Sequence, residues 1–429
     1  MTLVRLFIFS LKTSEGSAKR FHKPKDTNKR QLMDPTKLKE IVLNAKRPYV
    51  LYNINPQWPC FKQTFDDWCE TFDDAHPNAV PFDECSVMGG CDPQWEWQRT
   101  KRHMKMRDIC NRDIQHKVER WNSFSYRNIE LLPEPCRRGV NFACFGFPEI
   151  NEDVTFWIGS AQAHTPCHYD TYGCNIVVQV FGRKSWTLLP PEAKLTPVRV
   201  PFEESSVYCE ENFYSPASYS HFTKVENEVY HVVLEPGMAL IVPPKWWHYV
   251  ETLEPALNFN TWLSLETDVD SLISECITKL LLQDLCDGLE ENIKNRLINP
   301  NEDLLTTTSI SKSYDILNYL LDQKRKNKQQ CIEPRRYPCD YLSTDAFNRL
   351  IEECKPFIKP VEKLQQWDFY NKIICNHSRY DSSQNGANFS GLTTDEIELV
   401  VRMRKLINVC CKPNVVKLIE TSLLDEYRS

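Results

Sequence analysis

Thr165-Pro-Cys-His-Tyr-Asp-Thr-Tyr-Gly-Cys-Asn-Ile-Val-Val-Gln-Val-Phe-Gly-Arg-Lys-Ser-Trp186 is the stretch from which the rest of the chain can be read. Its apolar run Ile176–Phe181 is rich in β-branched residues and bounded by Gly173 and Gly182, so it reads as a strand. His168 and Asp170 stand two residues apart, just before the Tyr172-Gly173 turn. In a strand, residues i and i+2 share a face, so this imidazole and carboxylate project toward one point. That pair is a start for a metal site, although His-x-Asp alone is more often a surface or core feature.

A third ligand comes from Leu234–Val250, where Pro236-Gly237 makes a turn, Met238–Val242 a short buried strand and Pro243-Pro244 its end. Trp246 and Trp247 then precede His248. Taken alone, His248 is as readily a core histidine bonded to a backbone carbonyl. Taken with His168 and Asp170, it completes two histidines and one carboxylate on a β scaffold, the facial set that holds Fe(II) and leaves positions open.

Working outward, Val140 to Glu266 shows eight short strand patterns: Thr155–Ile158, His164–His168, Asn175–Phe181, Ser185–Leu189, His231–Leu234, Met238–Val242, His248–Thr252 and Leu257–Ser264. Gly, Pro and Asn break the pattern between them. Eight such strands predict a mainly β core folded as a double-stranded β-helix of jelly-roll type. Before it, Pro35–Ala45 reads as a helix, Arg47–Tyr52 as a strand and Phe65–Trp68 as part of an aromatic-rich helix. Gln94–Trp121 interleaves basic and aromatic residues, which reads as a solvated helix face or, less readily, an RNA or acidic-peptide groove.

After the core, helical periodicity recurs at Val269–Leu280, Ser313–Lys326, Thr344–Glu353 and Val361–Cys375. Asn376–Gly391 reads as a polar linker, and Thr393-Thr-Asp-Glu396 as the capping box of a last helix. The expected division is a basic arm over 1–34, an N-terminal α/β part over 35–140, the barrel over 141–266 and a helical extension over 267–429.

Composition sets outer limits. The chain has 429 residues, 41% hydrophobic and 11% aromatic, with a net charge of −6. That suits a folded protein and argues against a generic nucleic-acid binder. None of the 18 cysteines forms a Cys-x-x-Cys pair, so zinc ribbons and thioredoxin-like chemistry are not expected and reduced thiols are. No apolar run reaches membrane-spanning length. The basic N-terminal arm is weak as a secretory or mitochondrial signal, and a cytoplasmic or nuclear location is expected.

The blocks Phe145–Pro148, Trp157–Ser160, Ala163–His168, Tyr172–Asn175, Gly182–Lys184, Pro201–Val207 and Trp246–Glu251 resemble the JmjC-type, cupin-fold, 2-oxoglutarate-dependent oxygenases. The resemblance runs from about Arg47 to Glu266 and does not reach the C-terminal third. It implies Fe(II) held by His168, Asp170 and His248, and 2-oxoglutarate as co-substrate. It matches Lys184 and Thr165 to the groups that bind the distal carboxylate of 2-oxoglutarate, with Tyr126 adding a hydrogen bond, and Asn175 and Asn260 to amides near the metal end. By strand alternation Arg183 faces away. The turn after His168 is one residue longer than in an asparagine-hydroxylating member, which predicts a bulge near Tyr172-Gly173. His164 is expected to pack rather than to ligate, and Cys167 and Cys174 to pack as thiols. The acidic Thr196–Tyr230 insert, with Glu203, Glu204, Glu210 and Glu211, would lie over the barrel mouth and suit a basic peptide, or be a solvated loop.

Hydroxylation of a protein side chain is the first expectation, with lysine demethylation and tRNA hydroxylation behind it. The most similar branch of the family is named for association with a small heat-shock protein. This implies such a partner, and the contrasting expectation of an adaptor without essential catalysis. Pairing of two copies or substrate docking through the C-terminal helices is a further expectation, with simple packing of these helices against the barrel equally expected.

Overall fold

The computed structural model describes residues 33–54, 56–110, 119–199, 206–298, 309–325, 336–386 and 389–426. Residues 1–32 of the basic arm, Glu203 and Glu204 lie outside them. Two helices open the described chain. Asp34 caps α1 (Pro35–Asn44), with Pro35 in its first turn, and a Thr64–Asp67 capping box starts α2 (Phe65–Ala75).

The strands in chain order are β1 (Tyr49–Leu51), β2 (Val80–Ser86), β3 (Thr100–Met104), β4 (Arg120–Asn128), β5 (Thr155–Gly159), β6 (His164–Asp170), β7 (Cys174–Phe181), β8 (Lys184–Leu189), β9 (Pro197–Arg199), β10 (Ser206–Cys209), β11 (Tyr230–Leu234), β12 (Ala239–Val242), β13 (Trp247–Thr252), β14 (Ala256–Leu263) and β15 (Ile358–Pro360). They form a nine-stranded sheet in the order β15-β1-β12-β7-β14-β5-β4-β2-β3, and a six-stranded sheet in the order β11-β8-β13-β6-β10-β9. All eight strands expected between Val140 and Glu266 are present, each within about two residues of its expected ends. Four of them, β12-β7-β14-β5, are the heart of the larger sheet, and β11-β8-β13-β6 that of the smaller. Two facing four-stranded sheets in this order make the jelly-roll barrel.

Strand alternation sorts the core into layers. On β7, Ile176, Val178 and Val180 pack under α1 and α2, together with Trp68 and Phe72. Val177 points the other way and meets Trp186, Leu188 and Val242 between the sheets. Behind the smaller sheet, Cys167, Trp247 and Tyr249 pack against Tyr214, Phe222, Phe369 and Ile373. Both faces of the barrel wall are therefore buried, which fixes its register.

Some expectations change. The stretch after Gln94 forms a 3-10 turn (Glu96–Gln98), edge strand β3 and a second turn, not a helix. Antiparallel pairing with β2 decides it, from Val80 opposite Met104 to Glu84 opposite Thr100. The described part of the Thr196–Tyr230 insert is not a solvated loop. Its β10 pairs with β6, Tyr208 opposite His168, and Phe213, Tyr214, Phe222, Val225 and Val229 are buried. Glu211 is turned inward as the acceptor of the Thr196 amide and hydroxyl.

The C-terminal third holds α4 (Asp268–Leu285), α5 (Glu291–Ile298), α6 (Ile310–Arg325), α7 (Thr344–Cys354), α8 (Gln366–His377), α9 (Thr394–Cys410) and α10 (Pro413–Glu426), numbered here after the short α3 (Glu134–Arg137). The Thr393–Glu396 capping box forms as expected. Val361 follows β15 and is not helical, so that helix starts only at Gln366. The described part of the expected linker is bonded to the barrel: the Gly89 amide donates to the Arg379 carbonyl, and the Asp381 amide donates to that of Gly89.

Candidate metal centre

Three donor groups converge where β6 and β13 run side by side. His168 lies opposite His248 in the antiparallel register, and their ring centroids are 4.2 Å apart. Asp170 follows two residues later on the same face. One ligand atom from each of the three lies within 4.8 Å of the others, and all three residues are buried. Among the described residues no other such cluster occurs.

Backbone carbonyls set the imidazole orientation. Nδ1 of His168 is 2.9 Å from the Pro166 carbonyl, and Nδ1 of His248 is 2.9 Å from that of Trp246. A carbonyl only accepts, so each Nδ1 carries the proton and each Nε2 keeps its lone pair for a metal. Burial, helped by neighbouring His248 and opposed by Asp170, lowers His168 to about 4. The ring is thus neutral near pH 7, as a metal ligand must be. Asp170 Oδ2 accepts from Trp262 Nε1 at 2.9 Å, while Oδ1 lies 3.9 Å from His168 Nε2.

Beside this cluster is a cavity with about 390 Å³ of empty space, its open mouth included. Thr165, Lys184, Asn175 and Asn260 line it together with His168 and His248. A register shift on β6 explains how Thr165 reaches the cavity. Val250 is two residues from His248 but faces Thr165, three residues from His168, so β6 carries an extra residue. That bulge undoes the face-sharing of His164 and His168 that their spacing predicts. His164 instead stacks on Tyr214 at 3.8 Å and donates from Nδ1 to the Gln162 carbonyl, and burial holds it well below the usual histidine range.

Lys184 is the chemically telling residue. It is 5% exposed, has no hydrogen bond or ion pair with the described chain, and burial alone lowers it to about 7. An amine held this way fits an anionic group supplied from outside. Arg183 faces out and pairs with Glu254. Asn260 accepts from Trp157 Nε1 at 2.8 Å and donates to Asn175 Oδ1 at 2.9 Å, which ties these amides into one chain. Tyr126 is placed differently. A register shift in β4 and a φ of 54° turn it outward, 53% exposed, against Trp157 and Trp262. It lines an adjoining cleft with Thr165 and Lys184, not the metal cavity.

Among the wall residues that sequence reading missed are Trp262 behind Asp170, Trp186 stacked 5.7 Å from His248, and Asn258. For Asn258 and Trp262 the signal was their alternation with Asn260, which puts these three on one face of β14. Asn258 Oδ1 and Trp186 Nε1 have no protein partner, as on a wall built for a polar ligand.

A sequence profile described as a cupin-like domain matches residues 35–268. HSPB1-associated protein 1 of Bos taurus is 34% identical over 301 residues, covering 65% of this chain and 61% of its own. The chain belongs to the cupin-like JmjC family. The HSPB1-associated protein 1 homolog of Danio rerio is 36% identical over 317 residues, covering 70% of each chain. Jumonji C domain-containing protein 5 of Drosophila melanogaster is 34% identical over 112 residues, which are 26% of this chain and 27% of that one. The match thus spans less than two thirds of the bovine relative's length. Family membership agrees with the jelly-roll pairing and with the convergence of His168, Asp170 and His248. No helix among the described residues is long and apolar enough to cross a membrane.

Proposed function

We propose that the chain is an Fe(II)- and 2-oxoglutarate-dependent oxygenase that hydroxylates a protein side chain. One observation carries the reading: three buried ligands converge, and two of them, His168 and His248, share a cavity with a buried lysine that has no partner in the described chain. His168, His248 and Asp170 would hold the iron as a facial set, with positions left for co-substrate and O2. When bound, iron with 2-oxoglutarate and O2 supplies hydroxylation of a substrate C–H bond, with succinate and CO2 as the other products.

The chain's own residues bind, orient and exclude water. Pro166 and Trp246 carbonyls hold both imidazoles in the ligating tautomer, and Trp262 fixes the Asp170 carboxylate. Lys184, protonated, would neutralise the distal carboxylate of the co-substrate, with the Thr165 hydroxyl beside it. The Asn175–Asn260 amide chain would orient its 2-oxo acid end. Tyr126 on the rim is the weakest of these assignments, because it opens to the neighbouring cleft.

The names of the relatives favour a second reading, an adaptor that binds a small heat-shock protein without essential turnover. Calorimetric titration of 2-oxoglutarate into metal-free and Mn(II)-loaded protein separates the two. Metal-dependent binding that disappears in Lys184→Ala supports the oxygenase. No binding by folded, metal-loaded protein rejects it and leaves the barrel as an interaction module.

A further inference from the structure

The cleft that adjoins the metal cavity shares Trp157, Thr165, Lys184 and Val250 with it. It encloses about 700 Å³ of empty space, its mouth included. Arg99 stands on its wall, just after the 3-10 turn Glu96–Gln98. Its side chain is only 6% exposed and lies over Trp121, Cζ 5.2 Å from the ring. Nη1 reaches Glu96 at 3.4 Å, a long contact, while Nε and Nη2 are buried and have no acceptor. These two N–H groups form one edge of the guanidinium, the edge that grips a planar oxyanion with two parallel hydrogen bonds. Buried donors left unmade are costly, so this edge favours a ligand that brings its own acceptor.

Charge in the cleft points the same way. Arg99, Lys101, Arg127 and Lys184 line it against Asp83 and Glu96. Asp83 is already paired with Lys101. Arg127 lies over the Phe124 ring, Cζ at 5.6 Å, with no ion-pair partner among the described residues. The two wall carboxylates repel a dianionic phosphate more than a monoanionic carboxylate.

We infer that this cleft receives the side-chain carboxylate of an aspartate or glutamate of a protein substrate, held by Arg99 next to the residue that enters the metal cavity. This rests on the oxygenase reading for the substrate's approach, and it reverses the basic peptide that the acidic insert suggested.

The test uses the full-length, Mn(II)-loaded protein saturated with 2-oxoglutarate. It is titrated with acetyl-tetra-aspartate amide, with the tetra-asparagine peptide of the same shape, and with inorganic phosphate. The aspartate peptide binds and the asparagine peptide does not, and Arg99→Gln weakens binding about tenfold or more, as loss of a charge-assisted bidentate contact should. If Arg99→Gln does not unfold cooperatively, Arg127→Gln on the same cleft must weaken binding instead. Equal binding by wild type and the folded variant overturns the inference. So does peptide binding that 2-oxoglutarate displaces, because the cleft is then the co-substrate's own pocket. Tighter, Arg99-dependent binding of phosphate overturns the carboxylate assignment. Failure of 2-oxoglutarate to bind rejects the oxygenase reading alone, since the peptide titration can still be made on metal-free protein.

Discussion

At position 184, a lysine near a neutral pKa and a carboxylate ligand make opposite demands. Burial lowers Lys184 to about 7, from the ordinary 10.5, so above pH 7 the amine is mostly neutral unless an anion binds beside it. The proposed co-substrate, 2-oxoglutarate, is a dianion and would require the ammonium form. Binding above pH 7 therefore takes up a proton, and affinity falls with rising pH, toward about tenfold per unit. Well below pH 7 the proton is already present and uptake vanishes. The same depression makes Lys184 a destabilising group that is fully felt below pH 7. It is relieved as pH rises toward 10.5, because the unfolded chain holds the proton over that range. Calorimetry of 2-oxoglutarate binding in two buffers of different ionisation enthalpy, at pH 6 and pH 8.5, measures the uptake. A pH-independent affinity would remove Lys184 from the co-substrate's partners. At this scale the His168–Asp170 pair was legible from spacing and strand parity, His248 only when taken together with that pair, and Lys184 through the resemblance to the family. Arg99 and Trp262 were not, since each acquires its role from a residue across the fold: Trp121 packs under Arg99, and Asp170 accepts from Trp262.

The turns between elements decide whether those residues meet. Gly182 joins β7 to β8 and so sets the register that aims Lys184 inward. Its φ is +62°, and a Cβ there would lie 2.1 Å from the Pro255 carbonyl oxygen. Gly182→Ala therefore meets both a disfavoured backbone and a hard backbone wall, and should destabilise by well over 1 kcal/mol, on the order of several. Gly386 is the control, with φ +75° but nothing within 4 Å of an added Cβ. Gly386→Ala should cost only the backbone strain, about 1 kcal/mol. Urea midpoints of the two variants measure the difference, and equal shifts would mean that the turn yields to the methyl group. Gly182 and the eight core strands were readable because glycine and β-branched residues act locally. The extra residue in β6 was not. A bulge is a property of two paired strands, and only the offset between Val250 and Thr165 reveals it.

Residues 358–381 of the C-terminal third pack along the barrel instead of standing apart from it, an arrangement that the helical periodicity left open. β15 pairs with β1 at the edge of the larger sheet. The Leu364 amide then donates to the Val229 carbonyl, and Phe369 and Ile373 of α8 enter the layer behind the smaller sheet. There Lys372 donates to Ser185 Oγ at 3.0 Å, and Arg379 Nη2 to Glu251 Oε1 at 2.6 Å. Ser185 and Glu251 lie on the outer face of the strands that carry Lys184 and His248 inside, so the wrapping segment braces the site from behind. The Arg379–Glu251 pair is 22% and 5% exposed, whereas Arg183–Glu254 is 46% and 42% exposed. Arg379→Met leaves the Glu251 carboxylate buried, with only the Tyr249 hydroxyl and nearby Lys372 to support it. It should cost about 3 kcal/mol, the toll of an unpaired buried charge. Arg183→Met removes a pair that water already screens and should cost less than about 1 kcal/mol. Urea unfolding of both variants at pH 7 measures this. A large loss at Arg379 with an unchanged m-value means that the C-terminal segment and the barrel unfold as one unit. A loss no larger than at Arg183 would show that the segment detaches before the barrel opens, and the brace behind Lys184 would then carry no load.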